Sequence, residues 1–185
     1  MILPVTVYGD PLLRKIAQPI DKDYPGLNQL IQDMFETMYH ADGVGLAAPQ
    51  IGHSIRLIVI DGSPAASEEE PEMANFKKVL INPVALSFSG EQWSFEEGCL
   101  SLPTIHENVY REEEIEIKYT DENWEEHTET FSGYAGRIVM HEYDHLEGHL
   151  FIDHISPLRR RLLKSKLTSI TKGNVKTDYK IRVPK

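Results

Sequence analysis

Apolar residues recur along this chain at two different periods. Leu27, Leu30, Ile31, Met34, Phe35 and Met38 fall at the i, i+3, i+4, i+7 spacing that lines one face of a helix, and Asp42-Gly43 closes the run. A helix from Leu27 is expected, with its methionines as core packing. Ile55 to Asp61 is a short, nearly unbroken apolar run, expected as a buried strand, and Val79 to Val84 is a second one, ended by Pro83. Glu114 to Tyr119 and Glu126 to Phe131 alternate polar with apolar or β-branched residues about Asp121-Glu122-Asn123, which predicts a hairpin with one wet face. Helical spacing returns over Gly133 to Leu146, with Ser132 as N-cap and Gly148 as the stop. Ser156-Pro157 then opens a basic helix running to about Leu167.

The connecting segments are read from their turn residues. Gly9-Asp10-Pro11 and further prolines make residues 1–26 an extended arm with a turn. Residues 62–77, with Ser63-Pro64-Ala65-Ala66 and Glu68-Glu69-Glu70-Pro71, read as a mobile acidic surface loop without chemistry. Gly43-Val44-Gly45-Leu46-Ala47-Ala48-Pro49-Gln50-Ile51-Gly52 is a stretch of small residues that lets backbone approach a ligand closely. It is no phosphate loop, since no strand precedes it and no G-K-[ST] ends it. Its one long polar group, Gln50, either ties down the loop or donates to a developing oxyanion. No repeat is visible.

Composition narrows the class. The 185 residues suit one domain, residues 1–185, and 41% hydrophobic with 26% charged residues is a soluble globular balance. Met1-Ile2-Leu3-Pro4-Val5 lacks a basic segment followed by an apolar one, and no apolar run reaches membrane-spanning length, so a cytoplasmic protein without a membrane role is expected. One cysteine, Cys99, rules out an internal disulfide. The net charge of −10 is uneven: residues 1–157 hold 9 Lys/Arg and 28 Asp/Glu, whereas residues 158–185 hold 10 Lys/Arg and only Asp178, giving −19 and +9. The body repels nucleic acid, DNA included, while the tail attracts polyanions or is simply a solvated end.

The chemistry centres on His141-Glu142-Tyr143-Asp144-His145. At about 100° per residue a helix puts His141 and His145 about 40° apart and one turn along the axis, so two imidazoles can grip one metal ion. Glu142 can reach a water on that metal, the arrangement of a general base in metal-assisted hydrolysis. Tyr134 and Ile138 share the face of His141 and would line an apolar pocket beside the metal, as they would a plain core. A catalytic site of this kind needs a third protein ligand. The H-E-x-x-H-x-x-G-x-x-H pattern fails because Phe151 stands at its last position, and residues 155–177 contain no acid to act as a ligand from a following helix. His149 and His154 lie just beyond a helix-ending glycine. Cys99 is the one soft ligand, Gly98 beside it permits close backbone approach, and the Leu100 N–H would then point at the site as an oxyanion donor with Gln50.

Gly43 to Gln50, then Glu97-Gly98-Cys99-Leu100-Ser101, then His141 to His145 resemble, in order and spacing, the three signature motifs of peptide deformylases. The resemblance implies removal of the N-formyl group from formyl-methionine of nascent bacterial or organellar proteins, with Fe(II) as the physiological metal and zinc, nickel or cobalt as substitutes. With these elements it implies an α+β fold: antiparallel or mixed sheets around a central metal-binding helix, an N-terminal helix and a C-terminal basic helix. The expected roles are Cys99, His141 and His145 on the metal, Glu142 as base, and Gln50 with Leu100 at the oxyanion. Val44, Tyr134 and Ile138 are expected around the methionine side chain, and Gly45 and Gly98 beside the peptide. Many members carry an arginine where this chain has His106. A monomer is expected, with the 158–185 tail as a surface for ribosomal RNA. The competing readings are a zinc peptidase cutting internal bonds and a ribosome-associated module with a structural metal.

Overall fold

A computed structural model describes residues 1–185. In chain order its elements are β1 (Val5–Thr6), α1 (Leu27–His40), β2 (Gly45–Ala47), β3 (Leu57–Asp61), β4 (Lys77–Ser89), β5 (Trp93–Cys99) and β6 (Leu102–Arg111). Then follow β7 (Glu114–Thr120), β8 (Glu126–Ser132), α2 (Gly133–Leu146), α3 (Pro157–Leu162), α4 (Lys164–Thr171) and β9 (Ile181–Arg182). The strands make a five-stranded antiparallel sheet in the order β2-β3-β4-β7-β8, a β5-β6 hairpin and a parallel β1-β9 pair. This is the α+β architecture expected.

The unbroken apolar run of β3 follows from what covers it. Side chains of a strand alternate between faces, and here both faces are covered. Ile58 and Ile60, with Leu80 from β4, pack against Ile138, Val139 and Leu146 of α2. Leu57 and Val59, with Val79 and Ile81, pack against Leu30, Ile31, Met34 and Met38 of α1. The two helices thus clamp the sheet from opposite sides, and the sheet in turn sets where the side chains of α2 point. A third cluster joins Leu102, Ile105 and Val109 of β6 to Phe151, Ile152, Leu163, Leu167 and Ile170, and so fixes the β5-β6 hairpin to the C-terminal helices.

Four local expectations change. β4 does not stop at Pro83 but continues to Ser89 through a bulge, where Asn82 takes φ of 51° and its side chain brackets Ile20 N and O. A bulge is one of the few sheet positions that tolerates a proline. Residues 62–77 hold two 3-10 turns, Ser63–Ala65 and Pro71–Asn75, tied inward by the fully buried Met73. Ser132 has an extended backbone but its side chain caps nothing. The basic helix breaks at Leu163 into α3 and α4, and the tail beyond it returns to pair with β1.

Candidate active site

Helix α2 brings His141, Glu142 and His145 inward. The His141 side chain is 10% exposed and His145 is 1% exposed, so neither ring is a surface histidine. The last residue of β5 supplies Cys99. Its Sγ lies 3.3 Å from His145 Nε2, and one ligand atom each from Cys99, His141 and His145 lies within 4.8 Å of the others. Four-coordinate sites with metal–nitrogen and metal–sulfur bonds of about 2.0–2.3 Å separate their ligand atoms by roughly 3.3–3.8 Å. The donor set therefore fits one divalent ion. Burial alone would raise the Cys99 thiol, but the charges of His145 and His141 outweigh it and bring it down to about 5, so the thiolate that a metal needs is favoured.

Behind Cys99, His141 and His145 stands a buried charge web. Glu97 Oε1 lies 2.8 Å from His141 Nδ1, which leaves Nε2 of that ring to serve as the ligand atom. Arg111 donates to both oxygens of Glu97 at 2.8 and 3.1 Å, and Arg137 Nη1 donates to it at 2.9 Å. Burial would raise the Glu97 carboxyl, yet the bonds from His141 and Arg111 hold it well below the usual carboxylate range. Arg111 also donates to Asp144 at 2.8 Å, and Asp144 meets His154 Nε2 at 2.8 Å. His154 is thus held by Asp144, and neither it nor His149 joins the ligand cluster.

Glu142 is the odd member. It is 5% exposed, its Oε2 has no hydrogen-bond partner, and burial raises its pKa against the lowering pull of His141 and His145. An unpartnered buried carboxylate oxygen is costly to maintain, and here the carboxylate faces β2. A Cβ on Gly45 would come within 2.6 Å of Glu142 Oε1, so any side chain there would have to displace the carboxylate. Gln50 sits in a 3-10 turn, Ala48–Ile51, with Oε1 accepting the Ala47 N–H at 2.9 Å. That bond fixes the amide, and Nε2 faces Cys99 Sγ at 3.5 Å and Ser101 Oγ at 3.3 Å. The amide therefore ties the loop and presents a donor toward the site at once.

These groups border a cleft of about 610 Å³. Val44, Gly45, Gly98, Leu100, Tyr134 and Ile138 all line it, together with Gln50, Cys99, His141 and Glu142, and His145 stands beside Cys99 and His141. Ile138 is buried, Val44 and Tyr134 half-buried. Gly98 has a specific neighbour, His106, whose ring would lie 2.7 Å from a Cβ there. Sequence reading missed Arg111, Arg137 and Tyr179. Arg137 lies one helical turn before His141, so the same wheel carried its signal. Tyr179, whose hydroxyl donates to Leu100 O at 2.8 Å, left none.

A family model described as Polypeptide deformylase matches residues 2–161. The peptide deformylase of Christiangramia forsetii is 53% identical over 190 residues, covering 100% of this chain and 97% of that one. That of Flavobacterium psychrophilum is 47% identical over 192 residues, covering 100% and 99%. Among solved structures, the peptide deformylase of Thermus thermophilus superposes with a TM-score of 0.82 at 37% identity, covering 94% of this chain and 100% of that one. That of Thermotoga maritima gives 0.75 at 43% identity, covering 85% and 99%.

Proposed function

This chain belongs to the polypeptide deformylase family, whose metal-dependent hydrolysis takes the N-formyl group off nascent peptides, and we propose the following roles for its residues in that reaction. Cys99 Sγ, His141 Nε2 and His145 Nε2 hold one divalent ion. The ion, when bound, supplies Lewis acidity, which makes hydroxide available near neutral pH and polarises the formyl oxygen. Fe(II) is the physiological metal of this reading; zinc, nickel and cobalt suit the same thiolate–imidazole set.

Glu142 accepts the proton of the attacking water and later delivers it to the departing amine, while the formyl C–N bond breaks to give formate and a free N-terminal methionine. Gln50 Nε2 and the Leu100 N–H stabilise the negative charge that grows on the formyl oxygen. Val44, Tyr134 and Ile138 receive the methionine side chain, and the backbone at Gly45 and Gly98 receives the peptide as an added strand. Glu97, Arg111 and Asp144 hold the ligands in orientation. The observation that carries this reading is the buried, unpartnered Glu142 oxygen beside a cysteine and two histidines at ligand spacing.

The protein acts as a monomer in the cytoplasm, and no helix is long and apolar enough to cross a membrane. The exposed arginines Arg159, Arg160 and Arg161 and the lysines Lys164 and Lys166 offer ribosomal RNA a basic face. Purified without oxygen and loaded with Fe(II), the protein releases formate from formyl-Met peptides and leaves N-acetylated internal-bond substrates intact. Cleavage of internal bonds without formate release would make it a peptidase instead. Ribosome co-sedimentation that survives neutralising the five basic residues would remove the RNA role.

A further inference from the structure

The tail that follows α4 is built into the cleft. Val175, Thr177, Tyr179 and Ile181 alternate inward while Lys176, Asp178, Lys180 and Arg182 alternate outward, the pattern of an extended segment lying on a surface. Val175 and Ile181 pack against the cluster under the β5-β6 hairpin. β1 gives Val5 N–H to Lys180 O at 2.9 Å and Val7 N–H to Arg182 O at 3.1 Å, and Arg182 Nη2 donates to Thr6 Oγ1 at 2.7 Å. The segment is thus fastened at both ends of residues 176–179, which line the cleft. The family model stops at residue 161, so this wall is not part of what the shared pattern describes.

Tyr179 points from the wall to the 99–101 turn, the one stretch that carries both a proposed ligand and a proposed oxyanion donor. Its hydroxyl donates to Leu100 O at 2.8 Å across 79 residues of sequence. Other bonds grip the turn on either side of Leu100: Tyr8 N–H to Ser101 O at 2.8 Å and Gln50 Nε2 to Ser101 Oγ at 3.3 Å on one side, Gln50 Nε2 and His145 Nε2 against Cys99 Sγ at 3.5 and 3.3 Å on the other. Of these side-chain grips, the Tyr179 hydroxyl is the one that acts on Leu100 itself.

We propose that Tyr179 is a positioning residue for deformylation: by holding the Leu100 carbonyl it fixes the orientation of the residue whose N–H meets the formyl oxygen. This rests on the role of Leu100 given above. An oxyanion donor acts chiefly on the transition state, so loosening it lowers kcat while leaving ground-state binding, and KM, nearly unchanged.

The test is Tyr179→Phe, which keeps the half-buried ring and removes only the hydroxyl. On formyl-Met peptides with fully metal-loaded protein, kcat should fall about tenfold, the equivalent of one hydrogen bond of about 1.4 kcal/mol, at unchanged KM and metal content. In metal-free protein, amide exchange at Leu100 and Ser101 should quicken by a similar factor of about ten, since the brace does not depend on the ion. An unchanged kcat in Tyr179→Phe, with the wild type active, overturns the proposal. So does a loss that appears only in KM, which would make Tyr179 a substrate contact, or one that tracks metal content alone. An inactive wild type would instead sink the deformylase roles. Tyr179→Ala, which also empties the ring's space, should lose at least as much kcat as Tyr179→Phe; a smaller loss overturns the proposal too.

Discussion

Gly45 and Glu142 share one space: a Cβ on the glycine would sit 2.6 Å from Glu142 Oε1 and 2.9 Å from its Cγ. Glu142 is buried and cannot swing away freely, so a methyl group at position 45 displaces the carboxylate. Misplacing a reacting group by about 1 Å costs on the order of 100-fold in rate. Gly45→Ala should therefore lose about that much turnover with its metal retained. Formate release beside metal analysis of the same sample checks this, and near-wild-type turnover would show that the carboxylate has room to move.

Glu142→Gln keeps the shape and removes the proton acceptor. General-base loss is worth roughly 100- to 10,000-fold, and no metal should be lost, because the residue is not among the proposed ligands. A variant with full activity would remove Glu142 as the base.

Glu97 accepts from Arg111, Arg137 and His141 inside the protein, so Glu97→Gln leaves the buried Arg137 without a counter-charge and Arg111 with Asp144 alone. Removing one partner of a buried ion pair costs about 3–5 kcal/mol. The urea midpoint of the metal-free variant should fall accordingly. Freed of its carboxylate, His141 should also bind metal roughly 10- to 100-fold more weakly. Equal midpoints for variant and wild type would mean that the web is not under load.

Removing the metal with a chelator should abolish turnover, and adding back Fe(II), Ni(II) or Co(II) under anaerobic conditions should restore it. Cys99→Ser should rebind metal more weakly than the wild type, since a hydroxyl replaces a thiol brought down to about 5. Activity that persists through exhaustive chelation would contradict a metal-dependent reaction at this site.

Asp153 offers a pH test away from the site. It accepts from Arg14 at 2.7 Å and from the Leu150 N–H at 3.0 Å. Burial would raise its carboxyl, but the Arg14 and Leu150 bonds leave it below the ordinary value of 3.8. A depressed folded-state pKa stabilises the protein above the unfolded value and loses that effect as pH falls through the folded one. Asp153→Asn should thus cost about 1 kcal/mol between roughly pH 5 and 7, a modest figure because Arg14 is 44% exposed. The gap should narrow below pH 3.8 in urea unfolding. A gap that widens on acidification would contradict the direction of the shift.

What could be read from the sequence followed the physics of the two periods. α1, β3, the β7-β8 hairpin and α2 all bury regular apolar patterns, and each was legible. β6 was not, because its inward series runs Ile105, Glu107, Val109, Arg111. Two of those positions are charged and buried, Glu107 against Arg159 and Arg111 against Glu97, so the alternation was disguised by ion pairs with distant partners. Pro83 misled for a different reason: a proline removes a single donor, and the bulge at Asn82 absorbs the loss. In the site, the positions of His141, Glu142 and His145 were legible because helix geometry converts a spacing into a position. Tyr179 was not, since nothing local in the tail marks a bond made 79 residues back.

The pairing of β1 with β9 joins Val5 to Ile181 and Thr6 to Arg182, so β1 cannot pair until β9 is in place. Contacts of such long sequence separation form late in folding, because the chain between them must be ordered before closure is repaid. Until residues 181 and 182 pair with β1, the sheet and α2 can hold the thiol, the two imidazoles and Glu142 with one wall of the cleft unfastened. An enzyme that works on the beginnings of other newborn chains thus gains this brace among the last contacts of its own folding.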